Sequence, residues 1–173
     1  SDLLFLIAGP AYASETDLIF SEIMYDLPGG DNNHEWVEVF NVSTSSIEVL
    51  TGSGGDTWRF NDGSNHTLNL FQGTTTIQTQ EYFVLADDAE QFLVAYPDYS
   101  GIIFDTVMSL SNSSSTLSLS FDGGDNYPVS TNYDSSFGAD GNGFTLEWEN
   151  IWRESYVQGG TPGQANSLPQ EDP

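Results

Sequence analysis

The sequence predicts an all-β protein, folded as a two-sheet sandwich with one short helix near residues 89–96. Three observations carry that prediction. Short runs of alternating or β-branched residues recur along the chain. Clusters of Gly, Asn, Asp and Ser separate them at the spacing of turns. A single stretch shows apolar residues at helical spacing. At 173 residues the chain suits one domain with its own core. It has no cysteine, so disulfides and thiolate chemistry are excluded.

The elements follow in order. Leu18–Tyr25 reads as a strand, followed by the turn Pro28-Gly29-Gly30-Asp31-Asn32-Asn33. Glu35–Val42 is the next strand, then Ser46–Leu50. Gly52-Ser53-Gly54-Gly55-Asp56 reads as a flexible insertion before Trp58-Arg59-Phe60. Thr67–Leu70 and Thr75–Thr79 are expected to be short strands, and Glu81–Ala86 a longer one. Over Ala89–Tyr96, Phe92, Leu93 and Tyr96 share one side of a helix, and Pro97 stops it. Ile102–Met108, Thr116–Phe121, Val129–Tyr133 and Phe144–Trp148 complete the strands. Many short strands at this spacing are the pattern of a sandwich. Leu168–Pro173 reads as a tail or linker.

The strand Glu35-Trp36-Val37-Glu38-Val39-Phe40-Asn41 holds two carboxylates among apolar residues. Alternation puts Val37 and Val39 on one face, with Glu35 and Asn41 at its ends. Trp36, Glu38 and Phe40 share the other. The valine face is the expected core, and the second face is expected to be partly covered, with Glu38 between two rings. Glu35 and Glu38 therefore point apart and cannot act together on one substrate. Glu22 and one of them could meet across neighbouring strands, as the carboxyls of glycosidases do. The structural alternative is that each glutamate accepts backbone N–H groups.

Charge excludes some partners. There are 26 acids, no lysine, and two arginines, Arg59 and Arg153, giving a formal charge of -24. Nearly all the acids repel one another, which favours solubility and opposes compaction. Nucleic acid is excluded as a partner, because phosphate binding relies on lysine and arginine. Two readings remain: an acidic surface suited to salty or acidic surroundings, or acidic loops that hold calcium. The second rests on Asp122-Gly123-Gly124-Asp125-Asn126, Asp140-Gly141-Asn142-Gly143 and Asp26-Leu27-Pro28-Gly29-Gly30-Asp31, which are oxygen-rich and glycine-flexible. Candidate ligands are Asp122, Asp125, Asp140, Asn142 and Asp31, since calcium takes six to eight oxygens. None has EF-hand spacing, and such pairs are also ordinary hairpin turns.

Residues 1–13 stand apart. Leu3-Leu4-Phe5-Leu6-Ile7 is apolar, and Ala11 and Ala13 form a small-x-small site. That is either the remnant of a secretory signal or a donor strand that completes a neighbour's sheet. It is too short to span a bilayer.

Other chemistry finds no pattern. His34 and His66 give no zinc spacing, and no Gly-x-Ser-x-Gly elbow occurs. Trp58, Trp148, Trp152 and eight tyrosines offer rings for sugar stacking or for the core. Trp148 and Trp152 frame Arg153, which suggests a cation–π contact. Asn41, Asn65 and Asn112 each begin an Asn-x-Ser/Thr triplet.

Several of these pieces together resemble the lamin tail domain of prokaryotic secreted proteins. Phe20–Tyr25 resembles its opening strand, and Glu35, Trp36, Val37, Val39 and Asn41 its second strand. Trp58 resembles its tryptophan strand, Glu81–Ala86 its central strand, and Leu110–Asn112 with Thr116–Leu119 the next pair. Thr161-Pro162-Gly163-Gln164-Ala165-Asn166 resembles its closing motif, with Pro162, Gly163 and Asn166 as signature positions. The match covers about residues 17–167. The resemblance implies an immunoglobulin-like sandwich without catalytic activity, used for interactions in exported proteins. The expectation is then a secreted or cell-surface structural module. Its partners would be itself, through Leu3, Leu4, Phe5, Leu6 and Ile7, or other extracellular proteins. The alternative is a module that binds carbohydrate or another ligand, with calcium as its cofactor.

Overall fold

The computed structural model describes residues 17–167 and residue 169. The apolar segment 1–13 and most of the tail 168–173 lie outside the described residues. The described chain is mostly β, with three sheets and one α-helix.

The largest sheet has seven strands. They are β1 (Leu18–Met24), β2 (Trp36–Asn41), β6 (Asn69–Gln72), β8 (Tyr82–Ala86), β9 (Ile102–Asp105), β12 (Leu146–Trp148) and β13 (Trp152–Glu154). Their order is β13-β12-β1-β2-β8-β9-β6. The second sheet contains β4 (Arg59–Asn61), β5 (Asn65–Thr67), β10 (Ser114–Ser120) and β11 (Val129–Asp134), in the order β11-β10-β4-β5. A short ladder joins β3 (Ile47–Glu48) to β7 (Thr76–Ile77). The two larger sheets share one core: Val37, Val39, Ile23, Phe83 and Leu85 from the first meet Phe60, Leu117, Leu119 and Val129 from the second. That is a sandwich, with the valine face of β2 inside.

Pairs are antiparallel except β8 with β9. A parallel pair needs a crossover, and here it is the helix α1 (Ala89–Ala95). Asp88 caps α1 by accepting from Gln91 N, and Asp105 of β9 accepts from Ala89 N at 2.9 Å. The helix lies on the outer face of the large sheet, where Phe92 and Ala89 pack with Met24, Trp36, Val84, Ala86 and Ile103.

A β-bulge sets the site. In β1, Phe20 faces Val39 and Glu22 faces Glu38, so the register shifts across Ser21. Without the shift, Glu22 would follow Phe20 into the core. With it, Glu22 turns outward, and Ile23 and Tyr25 turn in.

Several expected elements differ. The stretch 67–70 divides into two strands in different sheets, because Leu68 is buried between them and turns the chain. The insertion at 52–56 is pinned. Arg59 donates to Gly52 O at 3.0 Å and Gly54 O at 3.1 Å, and Thr57 Oγ1 donates to both carbonyls. β13 had no clear signal, since Trp-Arg-Glu has too few residues to show a period.

Candidate functional site

The outer face of the large sheet carries three glutamates in one row. Glu22 is the Cα partner of Glu38 on one side and of Glu147 on the other. All three are fully buried. Arg153, on β13, is the partner of Glu147 and places its Nη1 3.2 Å from Glu147 Oε2. One cation thus faces three carboxyl groups.

An arm after β13, residues 157–167, covers the row and supplies donors to all three glutamates, with Ser21 and Thr145 adding one each. Gly163 N donates to Glu38 Oε2 at 2.5 Å, and Ser21 Oγ to Glu38 Oε1 at 2.6 Å. Glu22 Oε1 accepts from Thr161 N at 2.8 Å and from Thr145 Oγ1 at 2.5 Å. Ser167 N and Oγ both donate to Glu147, each at 2.9 Å. These bonds fill acceptors that burial would otherwise leave unpaired. The arm passes so close that a Cβ on Gly160 would lie 1.9 Å from Glu22 Oε1, and its φ is +73°. Glycine is required there. Tyr96 OH donates to Gly159 O at 2.7 Å and ties the arm to the end of α1.

Burial shapes the acidity of this row. Desolvation pushes Glu22 up to about 7 and outweighs its bonds from Thr145 and Thr161. Glu38 is raised well above the ordinary carboxylate range, first by desolvation and then by Glu22. The row is therefore a set of hydrogen-bond acceptors filled by its own chain. No oxygen of Glu22 or Glu38 faces open solvent. Glu38 is wholly buried rather than partly covered, because the arm closes over it.

A second set of acids holds the segment after β9. Met108 N donates to Asp87 at 3.0 Å, Ser109 N to Asp62 at 2.8 Å, and Leu110 N to Glu35 at 3.0 Å. Burial pushes Glu35 up to about 8, with Asp31, Asp87 and Asp62 adding to the rise. Glu35 and Glu38 thus serve different segments on opposite faces.

The remaining candidate residues fall in several places. Asp122 Oδ1 accepts from Ser120 Oγ and Asn126 N, and Oδ2 from Asn126 Nδ2. Those bonds lower Asp122 to about 2. The 122–125 turn packs on Gly55 and Asn65. Asp140 meets Asp26, which is raised by burial and by that pairing. Asn142 Nδ2 donates to Glu154. Asp31 O accepts from His34 N. The five expected calcium ligands do not converge, and among the described residues no group of three or more His, Cys, Asp or Glu is placed to hold a metal ion. Asn41 is buried, and its Nδ2 donates to the carbonyls of Ser45, Ile77 and Gln78. Trp58 packs on Phe121 in the core. Trp148 and Trp152 meet edge-on at 5.3 Å, while Arg153 lies over Tyr156 instead, 4.8 Å from its centroid. The Glu147 pairing turns the guanidinium to that side. Pro162 and Gly163 belong to the arm, and Asn166 Nδ2 donates to Trp148 O at 2.8 Å.

Glu147 and Ser167 carry no signal in the sequence, and Thr161 is legible there only as the start of the closing motif. A lone glutamate in Leu-Glu-Trp carries no signal of its own, and the bulge that brings Glu22 beside it has none either.

Among the described residues no helix is long and apolar enough to cross a membrane. No family model, no curated protein and no solved structure matches this chain.

Proposed function

We propose that this chain is a non-enzymatic, exported interaction module of the lamin-tail, immunoglobulin-like type, which acts by contact rather than by chemistry. One observation carries the reading. The buried glutamates, the groups best suited to acid–base work, are consumed as acceptors by Thr161, Gly163 and Ser167 of the same chain. A catalytic pair needs an opening for substrate and water, and the arm fills that place.

Two further features support the surroundings. Both arginines are committed internally, Arg59 to backbone carbonyls and Arg153 to Glu147. The surface is left strongly negative, as suits a saline or acidic medium. The apolar run Leu3–Ile7 followed by Ala11-x-Ala13 fits export, or donation of a strand to a second copy. Sedimentation velocity of the full chain against a chain lacking residues 3–13 tests the assembly reading. The full chain should form larger species and the trimmed one a monomer. Identical sedimentation would refute assembly through that segment.

A further inference from the structure

A groove of about 1020 Å³ opens between the turn 78–82, the end of α1 and the arm. Its volume is at the upper end of ligand sites, about 300–1,000 Å³. We propose that it binds a neutral polysaccharide. The floor includes Tyr82, partly buried, with one ring face stacked on Phe40 at 4.3 Å. Sugar rings present C–H faces, and a ring held rigid in this way stacks on them at little entropic cost. Gln78, Gln80 and Gln164 line the walls, exposed and without side-chain partners among the described residues. An amide offers a donor and an acceptor together, which matches neighbouring hydroxyls. Gln80 is held at φ +61° in the turn, where its N donates to Asn41 O at 2.9 Å and fixes the backbone that carries its side chain.

Charge selects among ligands. The walls carry Glu81 and Asp98 and no cation. Anionic glycans and nucleic acids are repelled, while uncharged hydroxyls find acceptors. A peptide is served poorly, because the groove is walled by turns and offers no free strand edge. The proposal does not depend on whether chains assemble, and sedimentation reports on assembly separately.

The test is native affinity electrophoresis of the full chain in gels containing a neutral β-glucan, a mannan or a galactan, with alginate as the anionic contrast. At least one neutral gel should slow the protein, and alginate should not. Tyr82→Ala and Gln164→Ala should each weaken the retardation about ten-fold, the size of one lost hydrogen bond or stacking contact. The Gln164 side chain is exposed and has no partner among the described residues, and alanine keeps the backbone N–H that donates to Thr161 O, so its variant keeps the fold, which a thermal melt verifies. The proposal is overturned if no neutral gel slows the wild type, if both variants are slowed as much as the wild type, or if the groove instead captures immobilised peptides in a Gln164-dependent way.

Discussion

Replacing Glu22 with glutamine should flatten the dependence of stability on pH. The folded protein holds a proton on Glu22 up to about pH 7, whereas an unfolded glutamate releases it near 4.5. Between those values the native state binds more protons than the unfolded one. Its stability from this group is therefore whole below 4.5 and lost as pH rises through about 7. At about 1.4 kcal/mol per pKa unit, the loss comes to about 3 kcal/mol. Glutamine keeps an acceptor for Thr161 N and Thr145 Oγ1 and can offer its amide to Thr161 Oγ1, which lies 3.5 Å from Glu22 Oε2. It carries no charge beside Glu38 and Glu147. The variant should match the wild type near pH 4 and exceed it near pH 8 by about 3 kcal/mol, or roughly 6–12 °C in Tm for a chain of this length. Thermal unfolding at constant ionic strength across that range measures it. Glu38 and Glu35 keep part of the slope, because both are also raised. A variant less stable than the wild type near pH 8, or one with an unchanged slope, would refute the account of a buried Glu22 that holds its proton.

Other outcomes follow from the same geometry. Gly160→Ala should cost more than about 2 kcal/mol, since the new Cβ meets Glu22 at positive φ, and limited proteolysis should then cut within residues 157–167. Asn41→Ala should cost about 3 kcal/mol in a urea melt, because three carbonyls, the Ile77 one buried, lose their shared donor and the site of a buried side chain is left empty; a loss under about 1 kcal/mol would contradict the anchoring role. Raising salt from about 0.01 M to about 1 M shortens the screening length from about 30 Å to about 3 Å; with a charge of -24, Tm should rise in calorimetry. On the acid side, Asp122 is held to about 2 by Ser120 and Asn126, so its share of stability is present above its ordinary value of 3.8 and lost as pH falls toward 2. Nuclear magnetic resonance titration of its carboxyl reads that directly.

Much of the fold was legible because alternation and turn residues are local signals. Val37 and Val39 read as core from the period of β2 alone, and α1 from Phe92 and the stop at Pro97. The separation of Glu35 from Glu38 was legible for the same reason. Other features were not local. The bulge at Ser21 has no marker in Phe20-Ser21-Glu22, yet it moves Glu22 from the core face to Glu38. Phe20 and Glu22 in strict alternation would have shared a face. The arm was visible as Thr161-Pro162-Gly163, but nothing in it names the strands it covers, 125 and 139 residues earlier. The acidic loops have a simpler reason for their composition. Asp122 and Asp140 are surrounded by glycine because the turns need positive φ, at Gly123 and Gly141 for example.

Those long separations also order the folding of the chain. Glu22 and Glu38 are made well before Thr161 and Gly163, so the strands emerge ahead of the residues that close the row. Until they arrive, two strands at the middle of the sheet carry carboxyl groups open to water, ionised and mutually repelling. Below about pH 7, closure over Glu22 takes up a proton as it expels solvent. Contacts of this reach slow folding, and here closure is coupled to a protonation. The rate at which a newly made chain reaches its finished form should therefore depend on the acidity of the medium it enters, with a more acidic one completing the molecule sooner.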